Sequence, residues 1–286
     1  MISTDGGDEE LRRRDDDAEY IKWLQTKAEE ISATLKKLEP HRINQIIKSY
    51  EQYLRHPASL HVPLEDDEEE RIKQLVGNDR LENIILLKTK AFIFAPSILA
   101  PTEDCLDYGA AMYRRFSLHG LWFSVIAMNE EYLKSATKNM LRYMLEHELA
   151  QGEIYAELAG QDIKNLSLDM KGVIHEDARR KAIQQSGISD REVEQERQLI
   201  IDLSAHHPLV PVHFASASLF KYLTENWEQV KQFGCVSQNE TEKELEMSTE
   251  KLAEWADSAI KSFKIFFKAL KREITMTGAE YGVEIV

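Results

Sequence analysis

The chain has 286 residues, 43% of them apolar and 30% charged, which is long enough for a substantial core and too apolar for a disordered chain. Its 36 Lys and Arg stand against 50 Asp and Glu, and the net charge of −14 disfavours nucleic acid or anionic lipid as broad partners. The two cysteines, Cys105 and Cys235, make no disulfide framework, and the acidic start (Asp5, Asp8, Glu9, Glu10) is unlike a targeting segment, so the expected compartment is the cytoplasm.

In chain order, residues 1–17 read as a charged, solvated tail, and 18–286 read as a helical body. Ile21, Leu24, Ala28, Ile31, Leu35 and Leu38 form an apolar stripe at spacings of three and four. Pro40 ends that helix, and a second stripe (Ile43, Ile46, Ile47, Tyr50, Leu54) follows at once, predicting an αα-hairpin. The apolar runs at 92–99 and 208–214 are broken by proline and read as connections or edges, with a weak boundary near 95–106. No proline occurs between Thr102 and His207, which predicts long helices there, including one carrying Arg114 to Ile126 and another over 129–158. Ser189 with Glu192 is a capping box, and Asn239 with Glu242 a comparable start for the last helix. That last helix carries Phe263, Phe266, Phe267, Leu270 and Ile274 on one face and lysines on the other, and is read as a core helix. The predicted fold is all-α, a multi-helix bundle with no segment long and apolar enough to span a membrane.

Two patterns bear on chemistry. His147-Glu148-Leu149-Ala150-Gln151 resembles the HExxH motif of zinc metallopeptidases, in which two histidines one helical turn apart hold zinc and the glutamate activates water. Gln151 stands in the place of the second histidine, an amide oxygen instead of an imidazole nitrogen. The plainer reading makes His147 a core or interface histidine bonded to a carboxylate. Arg114 and His119, at Arg-x4-His spacing, resemble the pair of the HEPN ribonucleases. That resemblance implies a phosphate-clamping Arg114 and a proton-transferring His119 at a dimer interface, and Arg142 to His147 repeats the spacing. His206, His207 and His213 read as solvated loop histidines.

With no complete catalytic constellation, no phosphate loop and no nucleophile elbow, the leading expectation is a non-enzymatic adaptor or regulatory subunit without cofactor. Its partners would be proteins or a second copy of the chain. The alternatives are a HEPN-like ribonuclease using Arg114 and His119, or a metal enzyme with zinc or iron at His147 and Glu148.

Overall fold

The computed structural model describes residues 18–96, 106–158, 168–236 and 248–280. The tail at 1–17, the boundary at 97–105 and the start signal at Asn239 lie outside the described residues.

The first two stripes form the helices expected of them. Helix α1 spans Ala18–Leu35 and α2 spans Pro40–Arg55, with Pro40 at the first helical position, where its missing N–H costs nothing. Both rest on α10, the long helix Thr249–Glu280, and α1 has α10 as its main partner instead of closing on α2. The aromatic face of α10 is core: Phe263 and Phe266 are fully buried, and Phe263 stacks on Phe214 at 3.8 Å between ring centres. Helix α8 (Val212–Glu225) lies beneath α10 and is buried from His213 to Leu223, which is why its sequence is apolar nearly all round. His213 is therefore buried against Tyr20, and His207 gives its Nδ1 to the Leu203 carbonyl at 2.7 Å, so these two are not solvated loop residues.

The middle of the chain corrects the all-α expectation. Among the described residues, seven strands form two mixed sheets, one ordered β1-β2-β6-β5 and one ordered β4-β3-β7. They are β1 (His61–Pro63), β2 (Ile84–Thr89), β3 (Phe92–Pro96), β4 (Leu106–Gly109), β5 (Ala111–Leu118), β6 (Leu121–Asn129) and β7 (Leu209–Pro211). The segment expected as one helix from Arg114 to Ile126 is the β5–β6 hairpin, with Leu118 opposite Leu121. His119 (φ 51°) and Gly120 (φ 76°) are its two-residue turn, and positive φ at both positions matches the right-handed twist of the strands. Absence of proline permits strands as well as helices; Phe123, Val125 and Ile126 favour the pleated surface. Strand β2 runs parallel to β6 in the interior of its sheet, and Ile84-Ile85-Leu86-Leu87 is apolar throughout, with Ile85 and Leu87 buried and Ile84 and Leu86 half-buried. The segment at 92–96, expected as a connection, is the central strand of the second sheet.

Among the described residues, four helices lie between β6 and β7. Asn129 caps α4 (Glu130–Ser135), its side-chain oxygen accepting from the N–H groups of Glu131 and Tyr132. The expected single helix over 129–158 breaks at Ala136, which is extended (ψ 141°), and restarts as α5 (Lys138–Leu158) with Thr137 Oγ1 accepting from Met140 N–H. Helix α6 (Leu168–Ser186) packs along α5, and α7 (Asp190–Ser204) starts at the expected Ser189–Glu192 capping box. Helix α3 (Asp66–Val76), earlier in the chain, also contacts α5. No helix among the described residues is long and apolar enough to cross a membrane.

Candidate functional site

Strand β5 is an edge strand, and α5 lies beside it. Their approach depends on Gly152: a Cβ there would sit 2.7 Å from the Tyr113 ring, so only glycine lets that ring lie against the helix. The backbone of the strand is thereby delivered to the helix. Tyr113 N–H points away from β6 and donates to Glu148 Oε2 at 2.7 Å, while its hydroxyl meets Ser124 Oγ at 3.0 Å.

Between β5, α5, α6 and α7 is a cavity of about 450 Å³. The strands contribute Tyr108, Met112 and Arg114; α5 contributes Tyr143, Met144, His147, Glu148 and Gln151; α6 contributes His175; and α7 contributes Glu196 and Ile200. A cavity of this size holds a small molecule or a few residues of a chain.

Inside it, two imidazoles face one amide. Gln151 Nε2 is 2.7 Å from His147 Nε2, and it lies over the His175 ring, 3.0 Å from Nδ1 and 3.4 Å from Nε2. The one-turn spacing of His147 and Gln151 puts both on one face of α5, and α6 brings His175 against them, with 5.6 Å between the two ring centres. His147 is pushed down to about 4, by burial first and then by His175 and Arg179, so its ring is neutral at pH 7 and offers a lone pair. Its Nδ1 is buried without a hydrogen-bond partner. No group of three His, Cys, Asp or Glu side chains among the described residues is placed to hold a metal ion. The groups that meet here are two imidazoles and one amide.

Two carboxyls line the same cavity. Glu148, 7% exposed, is pushed up to about 7 by burial, opposed by the Tyr113 N–H and the Arg114 charge and reinforced by Glu196. Glu196 is also raised to about 7 by burial, and accepts a hydrogen bond from the Tyr132 hydroxyl at 3.0 Å, which opposes the rise. Both therefore titrate near neutrality, where a carboxyl exchanges protons best at cellular pH. Arg114 is the cation of the cavity wall, held by Ser216 Oγ and by its neighbour's carbonyl, Tyr113 O, each at 2.7 Å.

The residues singled out in the sequence thus separate. Arg114, His147 and Glu148 meet, and His119 does not join them. His119 sits on the hairpin turn, edge-on to Trp227 at 4.7 Å between ring centres, with its backbone N–H on Thr249 Oγ1. Arg142 leans toward Glu146 at 3.9 Å, and Glu146 is also paired with Arg80. His175, Glu196, Tyr113 and Ser216 were not legible as site residues, because each comes from a different element and no local spacing relates them to His147. Gly152 held the one local signal, a glycine inside an otherwise helical pattern.

No protein-family model, no curated protein and no solved structure matches this chain.

Proposed function

We propose that this protein is a metal-assisted hydrolase of peptide or other acyl bonds, acting in the cavity beside α5. The observation that carries the reading is the gathering of His147 and His175, with 5.6 Å between ring centres, in one cavity with Glu148, a carboxyl held at the edge of strand β5. His147 and His175 are the residues that would hold a divalent cation, and it would supply Lewis-acid polarisation of a carbonyl. Glu148 takes the proton of the attacking water and returns it to the leaving group, for which a carboxyl near 7 is well matched. The Tyr113 N–H holds that carboxyl in place. Arg114, fixed by Ser216, stabilises negative charge developing on the substrate. Glu196, hydrogen-bonded to Tyr132, is a second proton store across the cavity.

The test is hydrolysis of fluorogenic peptides and esters by the full chain, dialysed against chelator and resupplied with zinc, cobalt or manganese. The expected result is metal-dependent turnover that Glu148→Gln lowers by about a hundredfold or more while the fold persists. Turnover unchanged in both Glu148→Gln and His147→Ala excludes this site as its source.

The adaptor reading is second. It is supported by an open groove of about 440 Å³ where Asp79 and Glu82, with Glu69 paired to Lys73, flank the exposed Phe233, a surface with net acidic character that suits a basic partner. A chain that is monomeric by light scattering and retains no protein from its source lysate counts against it. The ribonuclease reading has lost the helix on which its two residues were to lie, since Arg114 is in a strand and His119 in a turn.

A further inference from the structure

Strand β1 covers only part of β2. His61, Val62 and Pro63 stand opposite Thr89, Lys88 and Leu87, and β1 ends there, so Ile84, Ile85 and Leu86 have β6 on one side and no strand on the other. The Lys90 N–H donates to the Leu60 carbonyl at 3.0 Å, which continues the β1–β2 ladder at its other end and sets its parity. Backbone groups alternate sides along a strand, so Leu86, like Lys88 and Lys90, turns its N–H and C=O away from β6. On that side the Leu86 N–H has no backbone acceptor among the described residues. A strand stretch left unpaired is a template for another extended chain.

Beside it lies the groove of about 440 Å³, lined by the half-buried Ile84 and Leu86 and by Phe233, which is 39% exposed. Phe233 is brought there by a short antiparallel bridge. Trp122 and Cys235 exchange backbone hydrogen bonds at 2.8 and 3.0 Å, and Trp122 lies two residues before Ser124, the partner of Ile84. Val236, next to Cys235, is 68% exposed, so this corner carries two of the four large apolar side chains exposed among the described residues.

Charge decides what suits the groove. Glu69 is neutralised by Lys73 at 2.6 Å, whereas Asp79 and Glu82 are exposed and in no ion pair among the described residues. The chain's own segments outside the described residues do not complement them: 1–17 holds seven Asp and Glu against three Arg, and 237–247 four Glu against one Lys. A second copy, at −14, is repelled as well.

We infer that the groove beside Ile84–Leu86 docks an extended, basic segment of a partner protein. That segment continues the sheet in the place β1 leaves, lays apolar side chains on Ile84, Leu86 and Phe233, and brings Lys or Arg to Asp79 and Glu82. Main-chain hydrogen bonds supply affinity in this mode, and alternate side chains supply selectivity. The inference rests on the adaptor reading, whose partner it describes, and uses nothing of the chemistry beside α5.

The test is fluorescence anisotropy of the full chain with a labelled peptide of alternating Lys and Val, set against its Glu and Val counterpart. The basic peptide is expected to bind about tenfold or more tightly, and more weakly as salt is raised. Asp79→Lys with Glu82→Lys should weaken it about tenfold, and Phe233→Ser should weaken it as an independent variant. Reversing two exposed carboxylates elsewhere, Glu194→Lys with Glu254→Lys, changes the net charge equally and should alter binding by about twofold or less. N-methylation of the peptide at every Lys or at every Val removes one edge of donors, and at least one of the two forms should lose binding about tenfold. Equal binding of the two peptides, or equal weakening by the two charge reversals, overturns the site. Full binding by both methylated forms overturns strand addition. A partner from the source lysate that the Asp79→Lys, Glu82→Lys chain retains as well as the natural chain overturns the site and leaves the adaptor reading standing. No peptide bound and no protein retained by either chain overturns both.

Discussion

Where α10 lies over α1 and α8, burial is apolar: Phe263, Phe266, Phe214, Phe220 and Leu24 are each at most 1% exposed, and the one ammonium nearby that is fully buried, Lys27, meets both oxygens of Glu30 at 2.9 Å. Beside α5 the buried set is Glu148, Glu196, Gln151 and part of His147, around open space. The first region converts burial into stability through contact and transfer from water. The second holds carboxyls against their preference for water, and stability alone gives no reason to keep them there. That difference is what supports the proposed site beside α5.

The comparison breaks most sharply with Phe263→Ala. Removing a ring packed on Phe214 and Tyr50 should cost about 3–5 kcal/mol in chemical denaturation. Ion binding under native conditions should be unaffected, and a change there would mean that the two regions are not separate.

The second expected effect has the opposite sign. Glu196 has its folded pKa raised to about 7 from 4.5, so its stabilising share is complete below 4.5 and is lost as pH rises through 7. Replacing it by Gln, which still accepts from Tyr132, should raise stability at pH 8 by roughly 2–3 kcal/mol and flatten the fall between pH 4.5 and 7. His147 acts at the other end: its pKa is lowered from 6.5 to about 4, so its share is present above 6.5 and is lost as pH falls toward 4. Denaturant midpoints measured from pH 4 to 8 for both chains check this, and identical pH profiles would remove the buried carboxyl from the account.

Gly152→Ala comes third. Its methyl would meet the Tyr113 ring at 2.7 Å, so β5 must move from α5, at about 1–3 kcal/mol. The informative readout is the Glu148–Tyr113 hydrogen bond: the Tyr113 amide should lose protection from hydrogen exchange more than its neighbours in β6 do. The smallest effect is expected of His119→Ala. Losing the edge contact with Trp227 should cost about 1 kcal/mol or less, with no change in ion binding or hydrolysis. Loss of hydrolysis in this variant would return His119 to the site and dissolve the comparison.

Much of the apolar region was legible because its helices carry their partners' demands in local spacing. The stripes of α1 and α2, Pro40, the capping box at Ser189 and the phenylalanine face of α10 are all patterns within one helix, and each formed where the pattern stood. The sheets were not legible in the same way. Strand β2 is apolar on both faces although only Ile85 and Leu87 of its first four residues are buried, and the His119-Gly120 turn lies between apolar runs that also suit a helix. At the site, His147 and Glu148 were visible as half of a motif, since both lie within one helical turn.

By itself the sequence determined what a single helix can encode: amphipathic faces, caps, an acidic surface, and a histidine and glutamate side by side. Only the tertiary structure decided that 111–129 is a hairpin, that Gly152 lets that hairpin touch α5, and that His175 and Glu196 face His147 and Glu148. The physical reason is range. Helical periodicity is enforced by neighbours three and four residues away, whereas strand pairing and the gathering of ionisable groups depend on segments tens of residues apart, whose meeting no local pattern records.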